Sequence, residues 1–153
     1  MAEVKPEFRD GKAVVVAGIA ARYAPATKAA IPALWGRFVP LMRTIPGKLS
    51  FETYGVCFNL DGQGGFEYLC GLPIGEDTAL PEGLRSVAIP AGRYAVFSHG
   101  TDLSTLAETW RGIFAWLGNP GYRMPEPYFE WYSADFCAES GTGALEIWIP
   151  VAG

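Results

Sequence analysis

The sequence predicts an α+β fold in which duplicated βαββ modules form a curved antiparallel sheet, with two main helices on one face and the other face left concave. Three observations lead there. Half of the 153 residues are hydrophobic and only 18% are charged, enough apolar surface for one core at this length. Much of that apolar content falls in short runs of β-branched and aromatic residues, separated by Gly, Pro, Asn and Asp. Two segments instead repeat their apolar residues at helical spacing, one in each half of the chain.

Residues 13–20, Ala-Val-Val-Val-Ala-Gly-Ile-Ala, are small and β-branched and predict a buried strand after the Asp10-Gly11 turn. From about Ala26 to Phe38, the residues Ile31, Leu34, Trp35 and Phe38 recur at i, i+3, i+4 and i+7, which is one face of a helix. Pro32 is tolerated in its first turn, where the missing N–H has no partner to lose, and Pro40 and Pro46 end or kink it. Residues 50–58 and 66–72 read as two strands around the loop Asn59-Leu60-Asp61-Gly62-Gln63-Gly64-Gly65. No Lys-Ser, Lys-Thr or helix follows that loop, so it is a hairpin and not a phosphate cradle.

Residues 73–83 form a connection at mid-chain. Residues 84–89 and 93–99 are two further strands, joined through Pro90-Ala91-Gly92. Thr101 or Asp102 offers an N-cap to a helix reaching about Leu117, with Leu106, Trp110, Ile113, Phe114 and Leu117 as its buried stripe. Gly118-Asn119-Pro120-Gly121 stops it. Residues 128–132 and 145–149 complete the sheet, linked by a polar loop. Strand, helix and hairpin thus recur, giving one domain over 1–153 with pseudo-repeats at about 13–72 and 84–151.

A net charge of −4 and an isoelectric point near 5.0 argue against a nucleic-acid surface and suit neutral or cationic ligands. Cys57, Cys70 and Cys137 are odd in number and lack metal-site spacing, so they read as buried thiols in a reducing compartment, and no cofactor or metal is expected. The charged start, with Glu3, Lys5, Glu7, Arg9 and Asp10, has no apolar signal-peptide core, and no run is long enough for a membrane span. Cytoplasmic residence is the expectation.

Chemistry concentrates in the last two strands. Tyr128-Phe129-Glu130-Trp131-Tyr132 and Leu145-Glu146-Ile147-Trp148-Ile149 each centre a carboxylate in an aromatic run, where glutamate is disfavoured by propensity and costly to desolvate. Alternation sets Glu130 with Tyr128 and Tyr132, and Glu146 with Trp148. The two acids are expected to line one aromatic surface, the concave groove on the face opposite the helices, with Trp148 and, from the central hairpin, Tyr54 and Tyr68 as further candidates. The bland alternative is a solvated sheet face. Trp35 and Trp110 fall on helix stripes and read as packing. Trp131, opposite in phase to Glu130, should pack beneath the helices. His99 reads as a surface or capping residue.

The order of elements and six local motifs resemble the GyrI-like family, the bacterial transcription activator effector-binding domain. The motifs are Ile31-Pro32-Ala33-Leu34-Trp35-Gly36-Arg37-Phe38, Thr53-Tyr54-Gly55-Val56, Phe66-Glu67-Tyr68-Leu69-Cys70-Gly71, and Ile89-Pro90-Ala91-Gly92-Arg93-Tyr94-Ala95-Val96-Phe97. The last two are Pro127-Tyr128-Phe129-Glu130-Trp131-Tyr132 and Leu145-Glu146-Ile147-Trp148-Ile149-Pro150-Val151. The resemblance implies two βαββ modules about a pseudo-two-fold axis, with a groove between them for amphipathic, often cationic, small molecules. It also implies a buried Glu that pairs with the ligand's charge, a role that falls on Glu130 or Glu146. The chain has no room for a DNA-binding domain ahead of the sensor, so direct DNA binding is not expected.

The primary expectation is therefore small-molecule binding, for sensing or sequestration. Relatives that open cyclopropane rings imply an alternative, in which Glu130 or Glu146 is a general base and Tyr54, Tyr68 or Tyr132 positions the leaving group. A protein-partner role of the gyrase-inhibitor type is a third reading. No charge run or amphipathic motif marks an interface for it.

Overall fold

A computed structural model describes residues 6–24, 26–61, 65–117, 127–137 and 139–151. The strands are β1 (Glu7–Gly11), β2 (Val14–Tyr23), β3 (Thr53–Phe58), β4 (Phe66–Ile74), β5 (Arg85–Ile89), β6 (Gly92–Ser98), β7 (Tyr128–Tyr132) and β8 (Leu145–Pro150), and the helices are α1 (Ile31–Phe38) and α2 (Leu106–Leu117). All eight strands form one antiparallel sheet in the order β1-β6-β8-β7-β3-β4-β2-β5. Exchanging β1 with β5, β2 with β6, β3 with β7 and β4 with β8 returns the same order read backwards. The two halves therefore meet at β3 and β7, in the middle of the sheet.

Both helices lie on one face. Leu34 and Phe38 of α1 and Ile113 of α2 are buried against Ile19, Cys70, Leu72, Phe97, Ile147 and Ile149 from the sheet. Each large apolar side chain so buried contributes about 1.5–3 kcal/mol, which holds the short α1 in place although no side chain caps it. Asp102 does cap the turn leading into α2, accepting from the Ser104 N–H at 3.0 Å. A second apolar cluster, with Val16, Val56, Leu69, Tyr94, Val96 and Phe129, occupies the opposite face, where Trp131, Trp148 and Phe58 pack against it.

The predicted strands 13–20, 50–58, 66–72, 84–89, 93–99, 128–132 and 145–149 correspond to β2 through β8, with ends shifted by a few residues. β1 falls where the sequence showed only charge. Its side chains carry little burial of their own; pairing with β6, from Glu7 opposite Val96 to Gly11 opposite Gly92, is what makes it a strand. The first helix is shorter than expected. Lys28–Ala30 form a 3₁₀ turn ahead of it, and beyond Phe38 the chain continues as a second 3₁₀ turn, Val39–Thr44, with Pro40 in its first turn. Gly62, Gln63 and Gly64 of the hairpin loop, and the stop signal Gly118-Asn119-Pro120-Gly121, lie outside the described residues.

Candidate functional site

Glu130 stands at the centre of β7, next to the seam between the two halves. It is 8% exposed and is the one buried charged residue among those described. The pleat that sends Phe129 and Trp131 to the far face turns Glu130 toward the helices, where it meets donors from three elements. From β4, the Tyr68 hydroxyl donates to Oε1 at 2.8 Å. From β7 itself, the Tyr132 hydroxyl donates to the same oxygen at 3.1 Å. From α2, the Trp110 indole N–H donates to Oε2 at 3.2 Å. Helix α1 enters one bond further out, where Trp35 Nε1 donates to the Tyr68 hydroxyl at 3.0 Å.

The rings holding these donors pack edge to face. Trp35 lies 5.3 Å from Tyr132 at 70°, and Trp110 lies 5.5 Å from Tyr128 at 66°. Tyr68 and Tyr128 are buried, whereas Trp35, Trp110 and Tyr132 keep part of their surface exposed, as do Phe114, packed against Trp110, and Phe136, packed against Tyr132. The site is thus closed at its floor and aromatic at its rim.

Burial pushes the Glu130 carboxyl above the ordinary range, and the bonds from Tyr68, Trp110 and Tyr132 oppose that shift by favouring the ionised form. Burial, reinforced by the negative Glu130, holds the Tyr68 and Tyr132 hydroxyls protonated, and it does the same to the neighbouring Cys57 and Cys70 thiols, whereas Cys137, expected to be buried with them, is exposed. The donors are therefore neutral. Among the described residues no Lys or Arg forms an ion pair with Glu130; the acids they pair with are Glu7, Asp10, Asp61, Glu67 and Glu146. A carboxylate bonded only by neutral donors keeps its net charge uncompensated in a low-dielectric setting, where a single cation is strongly favoured.

The predicted site residues divide between the two faces. Glu130, Tyr68, Tyr132 and Tyr128 come together on the helix face, which corrects the expectation that Glu130 lines a concave groove on the face opposite the helices. Glu146, Trp148 and Tyr54 lie on the other, so the expectation that both acids share one surface is corrected. The reason is register: Glu130 is opposite Ile147 and Trp131 is opposite Glu146, and directly opposed residues in an antiparallel pair project to the same side. Glu146 has its own cation, Arg9 of β1, at 3.2 Å, and also accepts from Trp148 Nε1 at 3.2 Å. Trp148 stacks on Phe129 with centroids 5.5 Å apart, and Tyr54 packs against the same ring.

Three further expectations change with that division. Trp131 does not pack beneath the helices but faces away from them and donates to Glu52 at 2.6 Å. Trp35 and Trp110 are not packing alone, since both indoles enter the hydrogen-bond system of Glu130. A buried indole N–H seeks an acceptor, and an acid at the centre of a strand facing the helices is such an acceptor; that pairing was the available sequence signal. His99 is half-buried beyond β6, with Nε2 donating to the Asp102 carbonyl and Nδ1 hydrogen-bonded to the Thr109 hydroxyl, each at 2.7 Å. Its proximity favours the ionised form of Glu130. Among the described residues no three His, Cys, Asp or Glu side chains converge as a metal site.

A two-module α+β sheet with one buried, aromatic-walled carboxylate beneath its helices defines a class of domain suited to holding a small molecule. The chain belongs to the GyrI-like family: the model of the GyrI-like small molecule binding domain matches residues 5–152, and this domain is accordingly a small-molecule-binding one. It is 32% identical over 124 residues to the transcriptional regulator BrlR of Pseudomonas aeruginosa, an alignment covering 77% of this chain and 45% of that protein. The chain thus spans less than half the length of that regulator. Among solved structures, SAV2435 bound to tetraphenylphosphonium superposes with a TM-score of 0.76 at 18% identity, over 97% of this chain and 94% of that one. The EcmrR C-terminal domain gives a TM-score of 0.63 at 15% identity, over 97% and 98%. At such identities the two structures share the fold. No described helix is long and apolar enough to cross a membrane.

Proposed function

We propose that this domain binds amphipathic small molecules that carry one positive charge on an aromatic body, taking them in beneath α1 and α2 with Glu130 as the charge anchor. The observation that carries the reading is the buried Glu130 carboxylate, bonded by neutral donors and without a described Lys or Arg partner. Trp35, Trp110, Tyr132 and Phe136 would stack on the ligand, each cation–π contact contributing about 0.5–2 kcal/mol. Stacking tolerates varied ring substituents, so several ligands of this class should bind on the order of micromolar. The net charge of −4 favours cations further. The relative solved with tetraphenylphosphonium supports the ligand class, and the regulator from Pseudomonas aeruginosa supports a sensing role. The mirrored strand order supports descent from one duplicated βαββ unit.

The test is titration calorimetry with tetraphenylphosphonium on the wild type and Glu130→Gln. The expected result is one ligand per chain and at least an about thirtyfold weakening in the variant, as for a buried charge left without its partner. Affinity kept within about twofold would remove Glu130 from the site.

The raised proton affinity of Glu130 also favours a second reading, hydrolysis with Glu130 as general base. Of the three tyrosines that could position a leaving group, Tyr68 and Tyr132 touch Glu130, whereas Tyr54 is on the far face. Incubation with a cyclopropane-bearing electrophile, followed by mass spectrometry, separates the readings: a product heavier by one water, absent with Glu130→Gln, marks an enzyme.

A further inference from the structure

We propose that Gly55 is a positioning residue of this site: the space left by its missing side chain is the slot through which the Tyr68 hydroxyl reaches Glu130. Across the middle of the sheet, Glu130 of β7, Gly55 of β3, Cys70 of β4 and Ile19 of β2 stand in one row. Opposed residues share a face, so a side chain at Gly55 would rise toward the helices between the carboxylate and Cys70. Tyr68 is two residues from Cys70 on β4, and its ring leans diagonally over β3. A Cβ at Gly55 would fall on the Tyr68 hydroxyl oxygen, 2.6 Å from its Cζ and 3.1 Å from Glu130 Oε1. The hydrogen bond between Tyr68 and Glu130 is therefore made directly above Gly55.

The tyrosine has little room to yield. It is 2% exposed, and the same hydroxyl accepts from Trp35 at 3.0 Å, so retreat breaks a bond on both sides. A methyl group at position 55 should lift the hydroxyl off Oε1 and leave that oxygen with Tyr132. Burial then acts on Glu130 with less opposition, and the carboxyl keeps its proton to higher pH. The polar and titratable groups facing Glu130 are Tyr68, Tyr132, Trp110, Cys57, Cys70 and, past β6, His99; of these, Tyr68 is the one that a Cβ at position 55 meets at its hydroxyl.

The consequence for ligand affinity rests on the anchor reading above; the effect on Glu130 itself does not. The experiment is a carbon-13 NMR titration of glutamate-labelled protein without ligand, with Glu130→Gln used to assign the resonance, on the wild type, Gly55→Ala, Tyr68→Phe and the double variant. Gly55→Ala should raise the Glu130 midpoint by about one pH unit, comparable to the loss of one hydrogen bond to a charged group. Tyr68→Phe should shift it in the same direction, and the double variant no further than Tyr68→Phe alone.

A wild-type midpoint in Gly55→Ala, or shifts that add in the double variant, would overturn the proposal. If Gly55→Ala fails to fold, adding Tyr68→Leu, which removes both the hydroxyl oxygen and the Cζ that the new Cβ would meet, should restore folding, and failure to restore it also counts against the role. In parallel, tetraphenylphosphonium binding is followed against pH. Its loss toward acid should move up with the midpoint. Affinity unaffected by Glu130→Gln would instead sink the anchor, while the NMR result still decides the case of Gly55.

Discussion

Glu130 and Glu146 sit on adjacent strands, one residue out of register, and their surroundings could hardly differ more. Glu146 is on the face away from the helices, with Arg9 supplying its counter-charge and the Trp148 indole donating to it. Glu130 is under the helices, sealed by two tyrosines and a tryptophan, all neutral. The first acid is satisfied within the chain; the second is satisfied in hydrogen bonds but not in charge. Aromatic neighbours alone therefore do not identify a ligand anchor. The discriminating property is whether the fold already supplies the opposite charge.

The contrast can be tested by several substitutions. The largest effect is expected from Phe129→Ala, which removes the ring between Tyr54, Tyr94 and Trp148 and should cost about 3–5 kcal/mol in chemical denaturation. Tetraphenylphosphonium affinity, normalised to folded protein, should barely change. A large loss of affinity would mean that the far face belongs to the site.

Next in size is the pair Glu130→Gln and Glu146→Gln. The first should weaken cation binding by about 2–5 kcal/mol in calorimetry, the second by less than about 0.5 kcal/mol. Equal effects would erase the distinction between the two acids.

A third test uses pH. Because the folded-state pKa of Glu130 lies above its ordinary value of 4.5, the folded protein holds this proton more tightly than the unfolded chain. The resulting stability is fully present below pH 4.5 and is lost as pH rises through the folded pKa. Urea denaturation from acid to neutral pH should show that decline in the wild type but not in Glu130→Gln. The smallest change is expected for Arg9→Ala, at most about 1 kcal/mol of stability and weaker at high salt, because Arg9 is partly exposed.

Much of the fold was legible because the sequence repeats local signals that agree with one another. Val14–Tyr23 is β-branched where it pairs on both sides, and the stripes through Phe38 and Ile113 face the core as spaced. β1 was not legible, since a strand made by its partner's hydrogen bonds need not carry an apolar pattern. In the candidate site, phase within one strand groups Glu130 with Tyr128 and Tyr132 but leaves the orientation of Tyr54 and Tyr68 open. Phase does not say which face receives the helices, so the sequence suggests Glu130 and Trp131 on the faces opposite to those they take, and Glu146 and Trp148 on the surface of Glu130. That Trp35 and Trp110 need acceptors is legible in the sequence, but which acceptor each reaches depends on how α1 and α2 dock over the sheet, which no local pattern encodes.

The exchange of edge strands has a consequence for biosynthesis. β1 is made well before its partner β6, which lies some eighty residues downstream, with Glu7 set against Val96. A chain leaving the ribosome must therefore carry β1 without that partner until the second half of the sheet has been translated. Such long-range closure slows folding and leaves an open strand edge exposed meanwhile. The charges on Glu7, Arg9 and Asp10 keep that waiting edge from recruiting a stranger.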